Sequence, residues 1–455
     1  MKRFCLNIFA GLLVLLAVPA VQAVPEQLTE AGNTADFPDV RTDTNGNRHL
    51  VWYDADVDSG AVFYRMFNAA GDVVIETLQI NDGGSGSANT RPSLAIDAGN
   101  RVLVVWQNNA DGEIYFLRLE PYLDDFADSI VDLATIKTVG DTRISEGGDG
   151  LAAVHPRAAI DATGDLHVVW EDYCGPNVQY VKVDGDGGIL NEPVLLGGAG
   201  GCNDLPDIAV DSTSNVHIVF SNTGEEVYYV MIDGASGDVL IDSTLLTVDD
   251  DLFATHATLG VDPDDNKVYV VFTAGTATGG EEVLMVALDP SLDDQDGTAA
   301  DPAIIGLSES LVSTGSPQFT WRAFSRFGFD RRMHVTYMDF NAATCQGTYG
   351  ITHVHITTAG SVLARQMLTT TGVSSSPGCD PVARLAPGGD RIVWADNSPG
   401  TQEILSEIFI RVSGGSSGYT CSLGSNAGSA WRAGDFWLLL AGLVALGVRR
   451  RHIHG

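Results

Sequence analysis

The stretch HPRAAIDATGDLHVVWEDYC, His155 to Cys174, holds two histidines, four carboxylates and a cysteine within twenty residues. Imidazoles and carboxylates at that density can ligate a metal ion or divide acid and base roles, and a cysteine adds a soft donor. The same residue types recur at the same spacing elsewhere. FPDVRTDTNGNRHLVWYD, RPSLAIDAGNRVLVVWQN, LPDIAVDSTSNVHIVFSN and HATLGVDPDDNKVYVVFTA begin at Phe37, Arg91, Leu205 and His256, and two divergent copies begin near Ser316 and Asp380. A reactive centre needs one convergent set of side chains, whereas a unit written seven times is architecture.

A full copy supplies four short strands divided by turn residues. In the fourth these are PDIAVD, VHIVFS, EVYYVMID and VLIDSTLLTV. Such repetition predicts an all-β chain, a seven-bladed β-propeller of four-stranded blades. Asp43, Asp97, Asp161, Asp211 and Asp262 share one turn position, where a short carboxylate accepts hydrogen bonds from turn amides. His49, His167, His217 and His334 share a position in the second strand that other copies fill with Leu103, Tyr269 and Arg391, which assigns them to blade packing. The seventh copy runs out after three strands, so Glu26 to Thr29 is expected to close the ring as its outer strand beside Ile408 to Val412, hiding a sheet edge.

The inner strands line the axis, and alternation selects the residues that face it. The first and third positions after the repeat proline are Asp39 and Arg41, Ser93 and Ala95, Arg157 and Ala159, Asp207 and Ala209, Thr258 and Gly260, Gln318 and Thr320, and Val382 and Arg384. The polar members Asp39, Arg41, Arg157, Asp207, Gln318 and Arg384 are the channel candidates for ligand binding. Arg41 and Arg384, read at one position in adjoining blades, would grip a carboxylate, sulfate or phosphate together. An internal salt bridge from Arg41 to Asp39 or Asp207 is the competing reading.

The unit P-x-x-x-x-D-x-x-G-x-x-H-V-V-W resembles the BNR-like, sialidase-type propeller repeats of exported bacterial proteins. The resemblance implies a scaffold that binds glycans or hydrolyses them, with Arg41, Arg157 and Arg384 standing where sialidases hold a substrate carboxylate. The Asp-box S-x-D-x-G-x-T-W is absent from every copy, and no tyrosine–glutamate pair can be placed beside the arginines. A ligand-binding or adhesion module, for a glycan or another surface polymer, is therefore preferred to a sialidase-like hydrolase.

The ends carry an address. Met1 to Ala23 has a basic start, an apolar run and a small-residue finish, the form of a secretory signal peptide. The propeller then occupies residues 24–413, a Gly/Ser-rich linker 414–435 holds Cys421, and 436–455 pairs a short hydrophobic helix with a basic tail. Thirteen apolar residues from Phe436 to Val448 would span about 20 Å as a helix against a hydrocarbon core of about 30 Å. The order of cysteine, short apolar helix and arginines resembles the MYXO-CTERM and JDVT-CTERM bacterial sorting tails. That implies a sorting protease as partner, Cys421 as the processing or anchoring residue, and a cell-surface or membrane-associated destination.

In an oxidising compartment Cys174 with Cys202, and Cys345 with Cys379, are expected to pair, since both loop types of a blade emerge on one face. A formal net charge of −34 excludes nucleic acid as a partner, because phosphate binding needs clustered cations. It also suits calcium. Asp54, Asp56 and Asp58 place carboxylates at alternate positions before Gly60, a spacing of hard oxygen donors that suits that ion.

Overall fold

The computed structural model describes residues 26–29, 35–57, 60–82, 89–126, 131–145, 151–173, 175, 177–197, 203–222, 226–247, 253–275, 281–313, 319–327, 332–340, 349–357, 361–367, 384–385, 391–396 and 403–408. Apolar residues alternate through short strands separated by Asp- and Gly-containing turns, and the strands assemble as a β-propeller of four-stranded antiparallel sheets. Ala35–Thr42, Arg48–Asp54, Ala61–Phe67 and Val73–Gln79 make the first blade. Five more blades of four consecutive strands follow, with inner strands Asn89–Ile96, Ala153–Ile160, Asn203–Val210, Ala254–Val261 and Phe319–Phe327.

The seventh sheet is composite. Arg384–Leu385, Arg391–Asp396 and Glu403–Ile408 are joined on the outside by Glu26–Gln27 from the other end of the chain. Its antiparallel pairing matches Glu26 with Ser406 and Gln27 with Leu405, a few residues earlier than the Ile408 to Val412 register expected. Among the described residues there are thus six full blades, where seven were expected, and a composite closing sheet whose inner and outer strands have two residues each. Inner strands neighbour one another from the first sheet to the seventh and back to the first, which completes the ring. Leu28, following the closing strand, is buried with Ala35, Val40, Leu50, Trp52 and Val393.

The core lies between sheets. Tyr64 and Met66 of the first blade pack on Leu94 and Val104 of the second, and Met285 of the fifth joins Val335 and Tyr337 of the sixth. The insertions after Leu119 and Leu288 are a matched pair, each giving one turn of 3-10 helix (Pro121–Leu123, Pro290–Leu292) and one turn of α-helix (Leu133–Ile136, Pro302–Ile305). The hydrophobic helix expected within 436–455 lies outside the described residues. Among those described, no helix is long and apolar enough to cross a membrane.

Candidate functional site

The inner strands do not alternate regularly. Each of the first six carries a β-bulge at the start of the repeat, between Asp36 and Asp39, Thr90 and Ser93, Val154 and Arg157, Asp204 and Asp207, Thr255 and Thr258, and Trp321 and Phe324. In five of them a non-glycine residue inside the bulge takes left-handed backbone: Phe37 (φ 48°), Arg91 (54°), His155 (56°), Leu205 (49°) and His256 (55°). Such a bulge re-aims a side chain. Phe37, Arg91, Leu205 and His256 accordingly line an axial cleft of ≈ 450 Å³, counted with its solvent-open part, together with Arg157, Asp207, Thr258 and Phe324.

Neighbouring blades hold these bulges in place. The His155 amide donates to Gln107 Oε1 (3.2 Å), and the Leu205 amide donates to Glu171 Oε2 (2.6 Å), whose other oxygen meets His155 Nδ1 at 2.7 Å. The Arg91 guanidinium lies over the Phe37 ring, 4.4 Å from its centroid. An aromatic surface and fixed cations thus share one rim.

Deeper in the channel, Asp39 is buried and tied down. Its carboxylate accepts from the Val40 amide (3.0 Å), the Leu94 amide of the second blade (3.0 Å) and Ser93 Oγ (3.2 Å), and it pairs with Arg41. The internal salt bridge is thus what Arg41 makes. Burial pulls the Arg41 guanidinium down to about 10, against the pull of Asp39 and with help from the charge of Arg326. Asp207 accepts from the Leu259 amide (3.1 Å) and faces Arg326 at 3.6 Å. Arg157 lines the cleft and donates to the Pro156 carbonyl (2.9 Å).

Strand register corrects two assignments. Arg326 lies opposite His334 as Arg41 lies opposite His49, and Phe324 lies opposite Thr336 as Asp39 lies opposite Val51. Phe324 and Arg326, not Gln318 and Thr320, therefore hold the channel positions of the sixth blade, and Gln318 lies outside the described residues. Arg384 lies opposite Val393, the counterpart of Val51. It therefore matches Asp39 rather than Arg41, and the joint grip by Arg41 and Arg384 is not supported.

The repeated aspartates cap turns as expected: Asp161 Oδ1 accepts from the amides of Thr163 (2.9 Å) and Asp165 (3.0 Å), and Asp211 Oδ1 from those of Thr213 and Asn215 (both 2.8 Å). The histidines do more than pack. Asp43, His49 and Tyr64 form a buried relay, with His49 Nε2 3.2 Å from Asp43 Oδ2 and Nδ1 2.8 Å from Tyr64 Oη. Asp161, His167 and Tyr180 repeat it at 3.2 and 2.7 Å; in the fourth blade His217 keeps the tyrosine contact, 2.8 Å from Tyr229 Oη, while its Nε2 stands 3.4 Å from Asp211 Oδ2 without hydrogen-bond geometry. Burial opposes ionisation of Asp211, but the nearby His217 and the hydrogen bonds from Thr213 outweigh it and hold the carboxyl at about 2. Burial keeps His49 and His167 below the usual imidazole range despite their aspartates.

Asp54 is buried at the end of its strand, where its Oδ1 accepts from the Asp56 amide (3.0 Å), while Asp56 is exposed. Asp58, the third calcium candidate, lies outside the described residues. So do Cys174, Cys202, Cys345, Cys379 and Cys421. Gly175 and Asn203, chain neighbours of the first pair, are joined by a 3.1 Å backbone hydrogen bond.

Fold and cleft together define a β-propeller with a cationic and aromatic axial mouth. No family model matches the chain, and no curated protein matches it. Among solved structures it is similar to an ulvan lyase of polysaccharide lyase family PL25 bound to GlcA(1-4)Rha3S, at TM-score 0.53 and 10% identity over 83% of this chain and 94% of that one. It is also similar to a protein of unknown function from Dyadobacter fermentans (TM-score 0.47, 11% identity, 84% and 99%) and to the Aleuria aurantia lectin in complex with α-methyl-L-fucoside (0.41, 8%, 78% and 99%). At such identities the likeness is one of fold.

Proposed function

We propose that this propeller is an exported, surface-retained binding module whose axial cleft takes an acidic sugar, a uronate or a sulfated residue of a glycan. The observation that carries the reading is the rim itself. In a chain of net charge −34, Arg91 and Arg157 meet His256, Phe37 and Phe324 around one cleft. Aromatic rings offer a flat apolar surface to the C–H face of a sugar, and guanidinium forks suit carboxylate or sulfate oxygens. Repulsion from the acidic body is screened beyond about 8 Å at physiological ionic strength, so the local cations dominate within the cleft. A short acidic segment suits this arrangement better than an extended polyanion.

Export through Met1 to Ala23, recognition of the tail by a sorting protease and retention at the membrane or cell surface through Cys421 belong to the same proposal. Its propeller repeats, BNR-like in pattern, are its scaffold. The test is an array of acidic and neutral glycans on the purified protein, run with and without calcium, followed by calorimetry on any hit. Saturable binding of acidic members is expected, weakened about 10- to 100-fold in Arg157→Ala, since a charge-assisted hydrogen bond contributes about 1.5–3 kcal/mol. A blank array would overturn the carbohydrate reading. Release of sugar would replace it with the alternative, a sialidase-like glycoside hydrolase.

A further inference from the structure

His334, His353 and His355 sit on one buried face of the sixth blade, and one ring nitrogen from each lies within 4.8 Å of the other two. His334 is in the second strand, Met333–Phe340, opposite His355 of the third, Tyr349–Ile356; Thr336 is opposite His353. The four residues are the corners of one patch of sheet. Their exposures are 6% for His334, 1% for His353, 5% for His355 and 0% for Thr336. The alternate residues Met333 and Val335 pack toward the fifth blade. The histidine face is therefore turned the other way, toward the seventh sheet, whose inner strand lies beside the first two strands of the sixth blade.

Comparison with the other blades shows what is special. His334 occupies the relay position of His49, His167 and His217, and His353 stands where they meet Tyr64, Tyr180 and Tyr229. His355 stands where the first and fourth blades have Met66 and Met231, and Thr336 where three blades have Val51, Val169 and Val219. One relay has thus been rewritten at three further corners, each time to a residue bearing a nitrogen or oxygen donor.

We propose that His334, His353 and His355 bind one divalent transition-metal ion, zinc in the first instance, and that it pins the second and third strands of the sixth blade together. A tetrahedral zinc with Zn–N bonds of about 2.0–2.1 Å sets its nitrogens roughly 3.3 Å apart. His334 Nδ1 and His353 Nε2 are already 3.1 Å apart, and the ring centroids of His355 lie 4.5 and 4.4 Å from those of His334 and His353. Thr336 Oγ1, buried without a hydrogen-bond partner, puts an oxygen at the fourth corner. Imidazole nitrogens suit zinc and its borderline neighbours, not calcium.

The experiment uses the full-length protein, stripped with chelator and titrated with zinc against a chromophoric competitor. Wild type should take up about one equivalent at this site and gain a few degrees in melting temperature. The double variant His353→Tyr, His355→Met restores the residues that other blades carry and should keep the chelated wild-type melting temperature while losing that equivalent. Zinc-edge X-ray absorption on the wild-type complex gives an answer that does not depend on the variant folding. Three imidazoles without sulfur are expected. Failure of wild type to bind, equal binding by the double variant, or a sulfur-ligated zinc would each overturn the proposal.

Discussion

Changing Tyr180 to Phe removes one oxygen from a fully buried ring and leaves its packing intact. It strands His167 Nδ1, whose partner is Tyr180 Oη at 2.7 Å, in a position that water does not reach. Leaving a buried polar atom unsatisfied costs about 1–3 kcal/mol, roughly a 5- to 150-fold fall in the folding equilibrium. Changing His167 to Leu strands Tyr180 Oη instead, at a similar cost. The double variant recreates the second blade, where Leu103 and Phe116 hold these two positions. Asp161 is then still served by Lys182, 3.3 Å from Oδ2, as Arg101 serves Asp97 in the second blade. The double change should therefore cost less than the two single changes added together, by about 1–2 kcal/mol. Urea denaturation at pH 7.5 gives the energies, and amide exchange across Leu166–Asp172 and Val178–Val183 localises them. A Tyr180→Phe effect within about 0.3 kcal/mol of zero, or strictly additive costs, would refute the relay as a hydrogen-bonded unit.

Acid should destabilise the protein in two stages. His49, His167 and His353 have folded pKa values below the ordinary 6.5, so only the unfolded chain gains protons as pH falls below 6.5, and stability declines from there. Asp211, held at about 2 against an ordinary 3.8, adds a second loss below 3.8; a melting temperature in chelator that is flat from pH 7.5 to 5 would contradict the first stage. Deleting residues 24–30, or changing buried Leu28 to Ala at about 2–5 kcal/mol, should lower the midpoint of the whole propeller, and an unchanged midpoint would deny the closing strand its role. Non-reducing peptide mapping of exported protein should link Cys174 to Cys202 and Cys345 to Cys379, and free thiols there would exclude the pairs.

The repeat was legible because propeller blades write their turns and alternating apolar residues in order, from Phe37 to His256. Closure was legible from a missing fourth strand. The bulge was not, since counting alternate residues from the proline assumes an unbroken pleat, and the cleft residues Phe37, Arg91 and His256 fall before or at the break. The prolines did not announce it, since Phe37, Arg91, His155 and Leu205 each precede one, where extended backbone is favoured, and His256 precedes Ala257. The sixth copy misled for a related reason. Its bulge sits at Arg322-Ala323 without a proline, so Pro317 drew the frame to Gln318. His353 and His355 escaped because the third strand varies freely between copies, and only cross-strand register places them beside His334.

The five left-handed residues separate scaffold from function more sharply than any motif. Their φ values agree within a few degrees, from 48 to 56°, which makes the backbone shape a property of the fold. For a residue with a side chain that shape costs about 1–2 kcal/mol, and glycine would adopt it freely. None of the five is glycine, in a chain with 51 glycines to place. Strain kept at five equivalent positions, with Phe, Arg, His, Leu and His in turn, supports the proposal that the side chains are used. A purely architectural bulge would tolerate glycine at all of them; a cleft that reads an asymmetric ligand needs more than one kind of side chain on one backbone. That asymmetry, imposed on a repeating ring, is the physical ground for proposing that a ligand binds at the axial mouth rather than along the repeated turns.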